Sequence, residues 1–96
     1  MIGHFGYTYT CADGSTPELE MYVDIGEQNR FSPGNKDRGQ SKVFYAGMNV
    51  DVFEVEFTPE EVEKDAALVW TVRDRGAHVS FTRTADAFLD CSELSP

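Results

Sequence analysis

Apolar side chains recur at every second position along most of this chain, which is the period of a strand with one buried face. Phe5, Tyr7, Tyr9 and Cys11 share one side of the first such segment, and His4, Gly6, Thr8 and Thr10 share the other. Farther on, Leu19, Met21, Val23 and Ile25 alternate with Glu18, Glu20, Tyr22 and Asp24. No helix gathers those four apolar positions, because helical neighbours lie three and four residues apart. Between the two segments, Ala12-Asp13-Gly14-Ser15 predicts a tight turn, since Asp-Gly accommodates positive φ.

Lys42 to Tyr45 reads as a short strand broken near Ala46-Gly47, and Asn49 to Phe57 as a longer one. Its phase slips, with Val50 and Val52 on even positions and Phe53, Val55 and Phe57 on odd ones. One extra residue between Val52 and Phe53 turns both sets inward, so a β-bulge is expected there; cover on both faces near Val52 is the alternative. Thr58-Pro59-Glu60-Glu61 is a helix start, with Thr58 as cap, Pro59 in the first turn and Glu61 closing a capping box. The helix should end near Ala66, because Leu68, Trp70 and Val72 again share a face. Arg73 to Gly76 turns the chain, and Val79 and Phe81 face inward opposite His78, Ser80, Thr82 and Thr84. Ala85 to Cys91 adds a strand or a helical turn through Phe88 and Leu89, and Ser92 to Pro96 should fray.

Ninety-six residues make one domain, 1–96, with a single modest core. About six short strands with one helical turn near 59–66 predict an all-β fold, a small antiparallel β-sandwich or barrel. Immunoglobulin-like topology is the most populated option at this length. A true immunoglobulin domain is rejected, because Trp70 follows Cys11 by 59 residues instead of closely.

Gly26 to Ser41 reads GEQNRFSPGNKDRGQS, without periodicity and with Phe31 as its one large apolar residue. Such long loops tend to be functional or mobile. Arg30, Phe31, Arg38 and Tyr45 are the binding candidates, since arginine and aromatics are enriched where proteins bind proteins. The competing reading folds Phe31 back as a plug on the sheet edge.

Seventeen acids against eight bases give a net charge of −9. Without clustered positive charge, direct binding to nucleic acid or to an anionic membrane surface is not expected. Solubility, adaptation to high salt and imitation of a polyanion all account for the acidity. No apolar run reaches the roughly 20 residues of a bilayer span, and the N-terminus lacks the pattern of a signal peptide, which leaves the compartment open. Cys11 and Cys91 either bridge the two ends of the chain or remain reduced thiols. A zinc set with His4 and His78 lacks the usual ligand spacing.

Catalytic signatures are weak. Asn35 to Gly39 alternates oxygen donors as calcium loops do, but Lys36 and Arg38 intrude and Ala46 stands at the twelfth position. His78 and Ser80 have no Gly-x-Ser-x-Gly elbow beside them, and the pairs Glu18/Glu20 and Glu54/Glu56 occur on any wet strand. The chain therefore reads as non-enzymatic and without a cofactor. The expected function is a protein-interaction or structural module, such as an accessory or decoration component of a larger assembly. Its partner is another protein, met through the sheet face or the 26–41 loop. Two other readings compete: an acidic inhibitor or immunity-type protein blocking a basic site, and a secreted carbohydrate-binding or adhesion domain using Tyr7, Tyr9, Tyr22 or Tyr45.

Overall fold

The computed structural model describes residues 2–11, 14–17, 20–73, 75–81 and 84–91. Its elements in chain order are β1 (Ile2–Thr10), β2 (Met21–Tyr22), β3 (Asn29–Ser32), β4 (Val43–Phe44), β5 (Gly47–Glu56), α1 (Pro59–Glu63), β6 (Ala67–Val72), β7 (Arg75–Ser80) and β8 (Thr84–Asp90). They form three small sheets, ordered β5-β1-β8, β3-β6-β7 and β2-β4. The chain is thus mostly β, and among the described residues no sheet closes into a barrel. Among the described residues the expected strand count of about six is corrected to eight, because two-residue β2 and β4 pair with each other through Met21–Phe44 and Tyr22–Val43.

Uniform antiparallel pairing is also corrected. β1 is antiparallel to β5 but parallel to β8, in unbroken register from His4–Thr84 to Thr10–Asp90. Phe5, Tyr7 and Tyr9 therefore lie in line with Ala85, Ala87 and Leu89, all buried. Small alanines beside large rings fill one layer without crowding. Gly14 adopts φ +84 and its N–H bonds the Cys11 carbonyl, so the chain does turn there. That turn joins no hairpin, because β1 pairs with β5 and β8 and leaves β2 to β4. Ala12, Asp13 and Leu19 fall outside the described residues, as does the expected fraying of Ser92–Pro96.

The core joins the sheets around Trp70 of β6, which is fully buried. Phe5 of β1 and Phe53 of β5 meet its ring edge-on at 6.0 and 4.9 Å, and Phe31 and Phe44 stack on it at 6.4 and 6.1 Å. Edge-to-face and offset pairs of this kind add to the burial of the rings. The indole N–H donates to Asn29 Oδ1 at 2.9 Å, so its one polar atom is satisfied. α1 forms with the expected capping box: Glu61 N–H donates to Thr58 Oγ1, and the Thr58 N–H donates to Glu61 Oε1. Among the described residues no helix is long and apolar enough to cross a membrane.

The phase slip of β5 is larger than the alternation predicted. Phe5 pairs with Phe53, but Tyr7 pairs with Asn49, so β5 carries two extra residues. Val50, Asp51 and Val52 therefore loop outward, with Val50 63% and Val52 42% exposed, in place of the inward packing expected. Gly6 lies opposite the loop and permits it. A Cβ there would stand 2.3 Å from the Asn49 carbonyl oxygen and 2.9 Å from Val50 Cα, both backbone atoms unable to swing aside. Gly6→Ala is expected to destabilise the domain by about 1–3 kcal/mol through this overpacking. A urea titration would measure it, and an unchanged midpoint would refute the account.

Candidate functional site

The four binding candidates do not come together. Phe31 is a core residue of β3, 1% exposed, because its ring faces Phe5 and Trp70 while its neighbour Arg30 takes the outer side. Its role as a surface anchor is corrected: it packs inward, as in the competing reading, but as a strand residue of the central core and not as a loop plug on the sheet edge. Arg30 lies beside Thr71, in line with Gly76, on the outer face of β3-β6-β7. Arg38 reaches α1, where its Nη1 and Nη2 donate to the two Glu61 oxygens at 3.0 and 2.9 Å. Tyr45 is exposed beyond β4, and its backbone N–H donates to the buried Tyr7 hydroxyl at 2.7 Å. Burial pushes the Tyr7 phenol above its usual pKa, an effect opposed by that N–H, so the hydroxyl stays protonated.

The 26–41 segment is less open than its composition suggested, because β3 takes up residues 29–32 and the part after it closes on itself. Phe31 N–H and the Gln40 side-chain amide both donate to the Lys36 carbonyl, and the Arg38 N–H donates to Gln40 Oε1. Asp37 accepts from the Gly39 N–H, a turn-stabilising use of an oxygen that a calcium loop would spend on the ion. The Arg38 fork holds the Glu61 carboxyl below its ordinary value of 4.5, with the Thr58 N–H helping and partial burial opposing. A depressed carboxylate contributes stability above its unfolded value and loses it as the pH falls through the folded one. Glu61→Gln keeps the capping geometry and removes the charge. It is expected to cost about 1–2 kcal/mol near neutral pH, a partly buried pair lying between exposed and buried cases. Denaturation series should show the two proteins converging as the pH drops below Glu61's depressed titration.

Cys11 and Cys91 are joined in a disulfide, at the first positions beyond the Thr10–Asp90 pair. Parallel register brings these residues side by side, with Cα atoms 4.7 Å apart. With both sulfurs committed and His78 on the outer face of β7, the weighed zinc set is not assembled. A cavity of about 450 Å³ beside the bridge is lined by Tyr9, Cys11, Ser15, Thr16, Pro17, Met21 and Cys91. No carboxylate or imidazole occurs in this described lining.

The distinctive surface is instead the outer face of β5-β1-β8. Thr8 pairs with Met48 on one side and Phe88 on the other, so these three side chains form one row across the sheet. Met48 is 76% exposed and Phe88 63%, with exposed Val50 and Val52 in the bulge beyond. The next rows are acidic: Asp86 beside Gly6, Glu54 beside His4 and Glu56 beside Ile2, with Asp51 in the bulge. His4 Nδ1 lies 2.8 Å from Asp51 Oδ1 and 3.5 Å from Glu54 Oε1.

No protein-family model, curated protein or solved structure matches this chain. The site therefore rests on its own geometry. Reading the sequence missed Met48 and Phe88, although the alternation Ala85, Ala87, Leu89 inward with Asp86, Phe88, Asp90 outward carries the signal for Phe88. Nothing local signals the approach of His4 to Asp51, which depends on a partner strand 47 residues away.

Proposed function

We propose that the chain is a non-enzymatic β-sandwich module, immunoglobulin-like in size and strand content, that binds another protein through the outer face of β5-β1-β8. What supports it is the row of solvent-exposed Met48 and Phe88 either side of Thr8 on one face of this sheet, with exposed Val50 and Val52 in the adjoining bulge. Solvent gains nothing from such a row, and contiguous exposed apolar surface marks interaction sites. The two-layer reading is supported by Trp70 of one sheet packing on Phe5 and Phe53 of the other.

The partner that fits is amphipathic and basic, with apolar groups for the Met48–Phe88 row and cations for Asp51, Glu54, Glu56 and Asp86. A second copy of the same face would set these carboxylates against each other, a repulsion that costs several kcal/mol at interfaces. The acidic inhibitor reading has less support, because carboxylates also lie on α1 at Glu60 and Glu63 and along Asp24 to Asp37. The carbohydrate reading has least. Tyr22 and Tyr45 are exposed, but Tyr7 and Tyr9 are 1% and 2% exposed, which leaves no aromatic strip on β1.

Replacing Met48 and Phe88 together with aspartate tests the proposal. Both are surface residues, so the melting temperature should hold within a few degrees while retention of the physiological partner is lost. Retention by the native chain should also weaken as salt rises, since exposed charges steer the encounter. Unaltered retention by the double variant would dismiss this face as the binding site.

A further inference from the structure

We propose that His4, Asp51 and Glu54 form a binding site for a divalent transition-metal ion, of which Zn²⁺ fits the donor set best. Their potential ligand atoms all lie within 4.8 Å of one another. Donors held about 2.0–2.1 Å from a tetrahedral ion stand roughly 3.4 Å apart. The His4–Glu54 separation of 3.5 Å matches that spacing, while His4 and Asp51, hydrogen-bonded at 2.8 Å, open to it when an ion replaces the hydrogen bond. The side chains of Asp51 and Glu54 are 65% and 58% exposed, so both are free to turn toward an ion.

The tertiary fold builds this convergence against the local pattern. In unbroken register Asp51 would oppose Tyr7, whose side chain is buried, and would point into the core. The two extra residues of β5 bring it to the outer side instead, at φ 53, a conformation aspartate tolerates better than most residues. His4 and Glu54 are direct neighbours across β1 and β5 on that same side. Three residues from two strands thereby present one imidazole nitrogen and two carboxylate oxygens, with the remaining direction open to water.

The chemistry of the donors selects the ion. Calcium and magnesium favour all-oxygen sites, whereas imidazole with carboxylate suits zinc and its first-row neighbours. Two carboxylates beside an imidazole match a dication, and the surrounding Asp86 and Glu56, on a chain of net charge −9, add an attractive field. Both cysteines are held in the disulfide, so no thiolate competes for the ion. The site uses two of the carboxylates assigned above to the partner's cations, but it is complete within the isolated chain, so metal binding is tested without the partner.

Calorimetric titration of the oxidised, metal-stripped chain with Zn²⁺ is the test. One saturable equivalent is expected. His4→Ala and Asp51→Asn should each weaken it by at least the roughly 10–100-fold that even outer-shell changes cost. Asparagine is tolerated at positive φ, so Asp51→Asn leaves the bulge intact. A readout needing no variant is the NMR signal of the two imidazoles: Zn²⁺ should shift His4 and leave His78 in place. Absence of saturable binding to the native chain, full binding in His4→Ala, or a shift confined to His78 would overturn the site. So would displacement of the bound ion by modest Ca²⁺.

Discussion

Replacing Cys11 and Cys91 together with serine is expected to lower the melting temperature by about 20 °C or more. The bridge joins residues 80 apart in sequence, so it constrains nearly the whole unfolded chain. In the chain-entropy account a loop of that length contributes about 4–5 kcal/mol. For a domain of this size each kcal/mol moves the midpoint by about 4–8 °C. The native fold should survive as a less stable one, since the β1–β8 ladder and the ring cluster around Trp70 do not depend on the sulfurs. Thermal circular dichroism of the variant, and of the native chain with reductant, checks this. A shift below about 5 °C would mean that the unfolded chain was already confined by other means.

Asn29→Ala is expected to cost about 3–5 kcal/mol, although asparagine is neither large nor apolar. Asn29 is fully buried and uses both ends of its amide. Its Nδ2 donates to the Val23 and Ser41 carbonyls at 2.9 and 2.8 Å, and its Oδ1 accepts from Trp70 Nε1. One side chain thus fastens β3 to the segments leading into and out of the 26–41 stretch, and to the central ring of the core. Truncation strands two carbonyls and an indole N–H, each left unpaired at about 1–3 kcal/mol unless water enters. Urea unfolding followed by the fluorescence of the single tryptophan gives the number directly. A loss under about 1 kcal/mol would show that the three groups find other partners.

The two variants act at different depths of the molecule. The first changes the unfolded ensemble, whereas the second removes a hub from the native interior. Because the bridge and Asn29 share no partner, their effects should add when combined.

How much of the fold was legible can be judged from particular residues. Phe5, Tyr7 and Tyr9 alternate with His4, Gly6 and Thr8, and the structure buries the first set. Leu68, Trp70 and Val72 behave alike, and Thr58 to Glu61 forms its capping box, because strand alternation and helix capping depend on residues within a few positions. Phe31 was harder. Its surroundings are polar and aperiodic, and rings far away in the chain, Phe5 and Trp70, make it a core residue. Val50 and Val52 went wrong for the same reason. A slip in phase is visible along one strand, but the number of extra residues is set by where Gly6 on the opposing strand allows the backbone to close in.

The candidate site was less legible than the fold. Met48, Thr8 and Phe88 are far apart in the chain, and their row exists only because β1 pairs antiparallel on one side and parallel on the other. His4 and Asp51 meet through the same pairing. By itself the sequence determined that sheets enclose the interior, where α1 begins, and that acid dominates the surface, since periodicity, capping and charge are local or additive. Strand order, the parallel β1–β8 ladder, the depth of the bulge and the composition of the exposed face were decided by tertiary structure alone. Each depends on which distant backbone supplies the missing hydrogen bonds, and no window of neighbouring residues contains that information.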